Sequence, residues 1–211
     1  MIKLKNIKSE IEKLINKESI IVVCDFDYTI TTKNSNSSIA VFSNYLPEQY
    51  RKSKKKIDCL VNIIKNETIY RFLWKLKLKL LKKYNGKNVL DKIDYKKEFY
   101  INNKMIDIIK LINKKGVPII IYSSGIQEII VNIFDTYSIN FDNIKIIANN
   151  LDNMVDVITP YKKKIPILNN KKVVLIGDNE KDLNIVNTDY LIQILNDIPT
   201  IIKWGVRIFI T

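Results

Sequence analysis

Carboxylates and hydroxyls are the groups this chain sets at short, repeatable spacings. Asp25-Phe26-Asp27-Tyr28-Thr29 places two carboxylates two residues apart, and Ser123-Ser124-Gly125 offers hydroxyls before a glycine. Gly177-Asp178 is followed by Asp182, and Lys162, Lys163 and Lys164 precede them. A carboxylate can attack phosphorus as a covalent nucleophile. A second one nearby can protonate a leaving oxygen and later deprotonate water. A hydroxyl, backbone N–H groups and a lysine can hold phosphoryl oxygens as charge builds. Several carboxylates crowded together stay ionised only around a cation, and an all-oxygen ligand set suits Mg²⁺. The 211 residues include no histidine. Ser-His-Asp and Cys-His mechanisms and histidine-ligated metal sites are therefore excluded.

The surrounding pattern explains how these groups could meet. SIIVVCDFD is a short β-branched run that stops at acidic residues, as a buried parallel strand does. VPIIIYSSG, IKIIANN and KKVVLIGDN read as further strands, with YLIQIL as the last. Between them, residues 102–114, IQEIIVNIF and a segment opening at DLNIVN read as helices, and Gly116 ends the first of these. Strands alternating with helices predict a parallel sheet covered on both faces. Ligands of such sheets sit at the carboxyl ends of the strands, where all the groups above lie. Residues 3–17 read as an amphipathic helix, carried by Ile7, Ile11, Leu14 and Ile15.

Residues 33–101 interrupt the alternation. Pro47 suits a first helical turn, and Asn85-Gly86 reads as a turn. WKLKLKLLKKY alternates like a strand, yet its Leu and Lys favour helix, and a helix is expected. Trp74, Phe72 and Tyr84 are expected in the core of this segment, and Asn34 to Ser38 as a linker. Residues 51–97 hold 16 Lys or Arg against four acidic residues, a net +12 within a chain total of +13. Such a run is commonly a solvated face, but it can also raise the local concentration of anions. Lys75, Lys77, Lys79, Lys82 and Lys83 are the candidates for that role.

The apolar fraction of 46% suffices for a buried core, and charged residues at 27% are near the globular average. No uninterrupted apolar stretch is long enough for a membrane span. The charged N-terminus lacks a signal-peptide core, so a cytoplasmic protein is expected. Cys24 and Cys59 form no CxxC pair, and Cys24 reads as a buried strand residue.

DFDYT, YSSG, a lysine and GDNEKD, in that order, resemble the haloacid dehalogenase superfamily of phosphatases. IIIYSSGIQEII and VVLIGDNEKDLNIV look most like its pyrimidine 5′-nucleotidase and phosphoserine phosphatase branches. The likeness covers roughly residues 18–32 and 102–195. It implies an α/β fold with a Rossmann-like, three-layer α/β/α core of strand order 5-4-1-2-3. It also implies a core of residues 1–32 and 102–211, with 33–101 as a helical C1-type cap.

By position, the resemblance makes Asp25 the nucleophile and a Mg²⁺ ligand. Asp27 becomes the general acid/base and binds the metal through its carbonyl. Ser123, helped by the backbone of Ser124 and Gly125, holds the phosphoryl group. Asp178 binds Mg²⁺, Asp182 orients the cluster, and Thr29 packs the turn. The lysine is Lys163, by alignment of Tyr161, or else Lys162. The expected activity is Mg²⁺-dependent hydrolysis of a small phosphorylated metabolite, nucleotide- or phosphoserine-like, through an aspartyl-phosphate. Residues 33–101 carry no base-recognition motif of the nucleotidase branch. Two other readings use the same residues. One is a phosphatase that acts on nucleic acid through its basic segment, with charge but no motif behind it. The other is a receiver-like phospho-Asp module, which the 70-residue insertion after the DxDxT disfavours.

Overall fold

The structure is a computed structural model. It describes residues 4–17, 19–63, 66–83, 87–140, 142–152, 157–159, 172–179, 190–195 and 198–203. Helix α1 (Leu4–Lys17) leads into strand β1 (Ile20–Cys24), whose five residues are all buried. Strands β2 (Ile119–Ile126), β3 (Ile144–Asn149), β4 (Lys172–Gly177) and β5 (Tyr190–Leu195) follow, then β6 (Ile198–Lys203). The sheet runs β3-β2-β1-β4-β5-β6. The first five strands pair in parallel, in the 5-4-1-2-3 order. Their β-branched runs suit strands covered on both faces.

Residues YLIQIL form β5 and not the last strand: β6 returns antiparallel along it, Leu191 facing Ile202. Pro199 is tolerated there because an edge strand need not donate from every residue. Helices α1 and α7 lie against β6.

Between β1 and β2 the described chain is helical. It forms α2 (Ser38–Asn44), α3 (Glu48–Ile63), α4 (Glu67–Lys83), α5 (Lys87–Leu90) and α6 (Tyr95–Glu98) before α7 (Asn103–Lys114) returns to the sheet. WKLKLKLLKK is helical within α4, because Leu73, Trp74, Lys77, Leu78 and Leu81 fall on one buried stripe. Pro47 directly precedes α3 and its carbonyl accepts from Tyr50 N–H at 3.0 Å. Phe72 is 66% exposed, contrary to its expected place in the core, because it sits on the opposite side of that stripe. Tyr84 and the Asn85-Gly86 turn lie outside the described residues, as does the helix expected from DLNIVN.

The insertion leaves and re-enters at one place. Thr31 bridges Ile101, Thr32 N–H donates to the Tyr100 carbonyl at 2.8 Å, and Asn102 N–H donates to the Ile30 carbonyl at 2.9 Å. Asn102 then caps α7 by accepting from Met105 N–H. Gly116 ends that helix at φ +70°, a conformation that favours glycine. Helix α8 (Gln127–Thr136) follows β2 and packs Phe134 on Phe26, ring centroids 6.2 Å apart.

Candidate active site

The end of β1 sorts its side chains by alternation. Phe26 is fully buried against the core, while Asp25 and Asp27 line a cavity of about 300 Å³. The turn after β1 is tied to one acceptor, the Phe26 carbonyl, which receives the N–H groups of Thr29, Ile30 and Thr31. Tyr28 takes φ 64° there, in the left-handed region, with its N–H donated to Thr31 Oγ1 at 2.9 Å. A tyrosine adopts that backbone at a cost, which the turn's hydrogen bonds offset. Burial and the Asp27 carboxylate push the Tyr28 phenol above its ordinary value.

Asp25 is 7% exposed, and its N–H donates to the Ile176 carbonyl, which locks it to β4. One residue beyond β4, Asp178 lines the same cavity and accepts from the Thr29 hydroxyl at 3.4 Å. Thr29 therefore orients a carboxylate besides packing the turn. Asp27 is gripped by Ser38, whose N–H donates to one carboxylate oxygen at 2.9 Å and whose hydroxyl donates to the other at 3.0 Å. Ser38 opens α2 and Ser37 caps it, accepting from Ala40 N–H. The expected linker over Asn34–Ser38 thus ends in two functional contacts. A polar run before the apolar SIAVF was the signal for that helix start.

The extended chain of β2 continues through Ser123-Ser124-Gly125 to Ile126. Its register on β3 breaks there: Tyr122 faces Ile147 but Ile126 faces Asn149, so residues bulge out between them. Ser123 and Ser124 line the cavity. Gly125 N–H donates to Ser123 Oγ at 3.0 Å, and Asn149 Nδ2 donates to the Ser124 carbonyl at 2.7 Å. Asn149 also exchanges two hydrogen bonds with the backbone of Ile158, just before the lysine-bearing segment. Gly125 is needed for space. A Cβ there would overlap Ser38 Oγ and press on Ser123 Oγ at 3.1 Å and Asp27 Oδ2 at 3.2 Å. Three groups from three segments therefore meet around one missing methyl.

The insertion supplies the facing wall. Ser37 comes from the cap of α2, Ile39 and Ala40 from α2 itself, Lys54 from α3, and Trp74 and Lys77 from α4. Asp58 forms ion pairs with both lysines, with Lys77 at 2.9 Å. Burial pushes the Asp58 carboxyl up, but hydrogen bonds from Lys54 and Lys77 outweigh it and hold the group below 3.8. Burial likewise pushes the Lys77 ammonium down, against the pull of Asp58. Of the lysines expected to act, Lys77 reaches the cavity, whereas Lys75, Lys79, Lys82 and Lys83 are exposed. Lys54 was not singled out from the sequence, because only the packing of α3 on α4 brings it in.

Asp25, Asp27, Ser123, Ser124 and Asp178 thus share one cavity, with Gly125 behind it. Lys162, Lys163 and Asp182 lie outside the described residues. Among the described residues no group of three or more His, Cys, Asp or Glu gathers as a metal site. The Asp27 carboxylate is turned to Ser38, and its carbonyl is the ligand that the resemblance assigns. Two carboxylates and a carbonyl are hard oxygen ligands, and a Mg²⁺ ion is commonly held by so few with substrate and water completing the shell. The donor set therefore fits that cation. No helix among the described residues is long and apolar enough to cross a membrane.

Comparison with known proteins assigns the chemistry to a lineage. Residues 26–198 match the family model for pyrimidine 5′-nucleotidase (UMPH-1). A 7-methylguanosine phosphate-specific 5′-nucleotidase of Drosophila melanogaster is 20% identical over 213 residues, covering 90% of this chain and 67% of the relative. Among solved structures, cytosolic 5′-nucleotidase IIIB bound to cytidine superposes with a TM-score of 0.64 at 18% identity, covering 92% of this chain and 85% of that one. A phosphoserine phosphohydrolase-like protein from Francisella tularensis subsp. tularensis gives a TM-score of 0.46 at 16% identity, covering 82% and 86%. The chain belongs to the pyrimidine 5′-nucleotidase (UMPH-1) family and is a phosphohydrolase of the haloacid dehalogenase type.

Proposed function

We propose that this protein is a Mg²⁺-dependent 5′-nucleotidase that works through a phosphoryl group carried on Asp25. One observation carries the reading: Asp25, directly after β1, lines a cavity shared with Asp27, Ser123 and Asp178. The family and its relatives support a nucleoside 5′-monophosphate as substrate. The family's name specifies pyrimidine nucleotides, and the fruit-fly relative's name specifies 7-methylguanosine phosphate. The insertion, residues 33–101, serves as a cap on a core of residues 1–32 and 102–211. A cap excludes water and selects substrate as it closes.

In the first step an Asp25 carboxylate oxygen attacks phosphorus and the bond to the leaving oxygen breaks. Asp27 gives its proton to that oxygen, so the nucleoside leaves as a neutral alcohol. In the second step Asp27 takes a proton from water. The resulting hydroxide attacks the same phosphorus, and the Asp25 carboxylate is released with inorganic phosphate. Ser123 donates its hydroxyl to a phosphoryl oxygen. Lys163, or else Lys162, neutralises the same group from the segment that follows Ile158. A Mg²⁺ ion held by Asp25, Asp178 and the Asp27 carbonyl, with Asp182 orienting the set, would supply positive charge against the transferring phosphoryl group.

The test is a panel of nucleoside monophosphates, phosphoserine and p-nitrophenyl phosphate, assayed for phosphate release with and without Mg²⁺. Nucleotide turnover that disappears on chelation and returns with Mg²⁺ is expected. Turnover untouched by chelation would refute the metal's part, and preference for phosphoserine would refute the nucleotidase reading.

A further inference from the structure

The insertion's side of the cavity carries a charge arrangement that phosphoryl transfer does not require. Lys54 lies on α3 and Lys77 on α4, and a single carboxylate, Asp58, serves both. The wall therefore keeps a net positive charge opposite the aspartates that end β1 and β4. Lys77 is only 8% exposed in its side chain, and its ammonium stands 4.6 Å from the centroid of the Trp74 ring, itself stacked on Tyr70. A lysine carries three N–H donors. At Lys77, Asp58 takes one and the ring face another direction. Taking two ammonium groups out of water to bracket one carboxylate is costly, and one lysine would neutralise Asp58. Both lysines nevertheless open on the cavity.

We propose that Lys54, Asp58 and Lys77 form the element that reads the leaving group: they favour a base presenting an uncharged or anionic acceptor and reject a cationic base. This rests on the phosphohydrolase reading above and specifies its substrate. Ring carbonyls of a pyrimidine or of guanine can accept from an ammonium at this wall. A 7-methylated guanine carries positive charge on the ring and meets two ammonium groups. Like charges brought together in a partly desolvated site are strongly disfavoured. Substrate choice in this chain thus departs from that of the fruit-fly relative, as that protein is named.

The pair GMP and 7-methyl-GMP isolates the effect, since they differ by one methyl group and the charge. Each is measured as a competitor of p-nitrophenyl phosphate turnover at mildly acidic pH, where the methylated base is cationic. Wild type should bind GMP at least about tenfold more tightly, the scale expected of an unfavourable close charge pair. Lys77→Met should reduce that ratio to below about threefold, and Asp58→Asn, which removes the lysines' negative counter-charge, should widen it. Opposite shifts in the two variants are what a merely structural role would not give. Equal or tighter binding of 7-methyl-GMP by wild type would overturn the proposal, as would shifts in the same direction. Should Lys77→Met not fold, Lys54→Gln tests the same charge with the same expected sign. If no turnover of any phosphomonoester is found, the hydrolase reading falls, and calorimetric titration of the two nucleotides still decides the charge selection.

Discussion

Ser38 binds both carboxylate oxygens of Asp27, through its backbone N–H at 2.9 Å and its hydroxyl at 3.0 Å. The proposed proton carrier is thus aimed by the first residue of the insertion's first helix. Asp27 sits on the sheet side and Ser38 on the insertion side, so the placement of α2 sets the geometry of proton transfer. Asp27→Asn should lower kcat by about 10²- to 10⁴-fold, the usual worth of a positioned acid/base. Ser38→Ala keeps the N–H and loses the hydroxyl, and should cost about tenfold in kcat, the worth of one hydrogen bond to a charged group. Steady-state kinetics on one substrate measures both. Equal losses in the two variants would contradict the division of labour.

Gly125 tests the packing beneath the site. Gly125→Ala drives a methyl group into Ser38 Oγ, with Ser123 and Asp27 crowded beside it. Overpacking of this kind costs about 1–3 kcal/mol. A lower melting temperature together with a raised KM is expected, because the same methyl displaces the Ser123 hydroxyl. A variant with wild-type melting and KM would show that the space is not needed.

Thr29 bears on the cation. Its hydroxyl donates to Asp178 and it is fully buried. Thr29→Val retains the shape and removes the donor. Loss of a partner that orients a metal ligand typically costs about 10- to 100-fold in metal affinity. The Mg²⁺ concentration giving half-maximal rate should rise by roughly that factor, with the rate at saturating Mg²⁺ closer to wild type. An unchanged Mg²⁺ dependence would remove Thr29 from the metal's support.

Asp58 gives a pH dependence with a defined sign. Its folded value is held below 3.8, so it contributes stability above that pH. The contribution is lost as pH falls through the folded value, when the carboxyl protonates and Lys54 and Lys77 lose their counter-charge. Asp58→Asn should therefore melt lower than wild type near neutrality, and the two melting curves should converge in strong acid. A constant gap across the whole range would contradict the ion-pair account.

Much of this arrangement was legible in the sequence because the sheet is built from apolar β-branched runs that end at polar residues. Asp25, Ser123 and Asp178 each follow such a run, so the rule that ligands gather at carboxyl ends of parallel strands brings them together. The strand β6 was missed because IPTIIK follows β5 almost at once and contains a proline, which reads as a break. Phe72 was misplaced because composition does not reveal which side of α4 is covered. The Asp58 pairing with Lys54 and Lys77 joins two helices, and spacing along one chain carries no signal of it. Among the 16 basic residues of segment 51–97, only packing singles out Lys54 and Lys77, which reach the cavity.

The most direct test of the account is phosphate release from p-nitrophenyl phosphate by wild type and Asp25→Asn, with Mg²⁺ present and folding of both verified by circular dichroism. The account predicts turnover in wild type and none measurable in Asp25→Asn, because the amide is no nucleophile toward phosphorus. Equal turnover in a folded Asp25→Asn protein would contradict it.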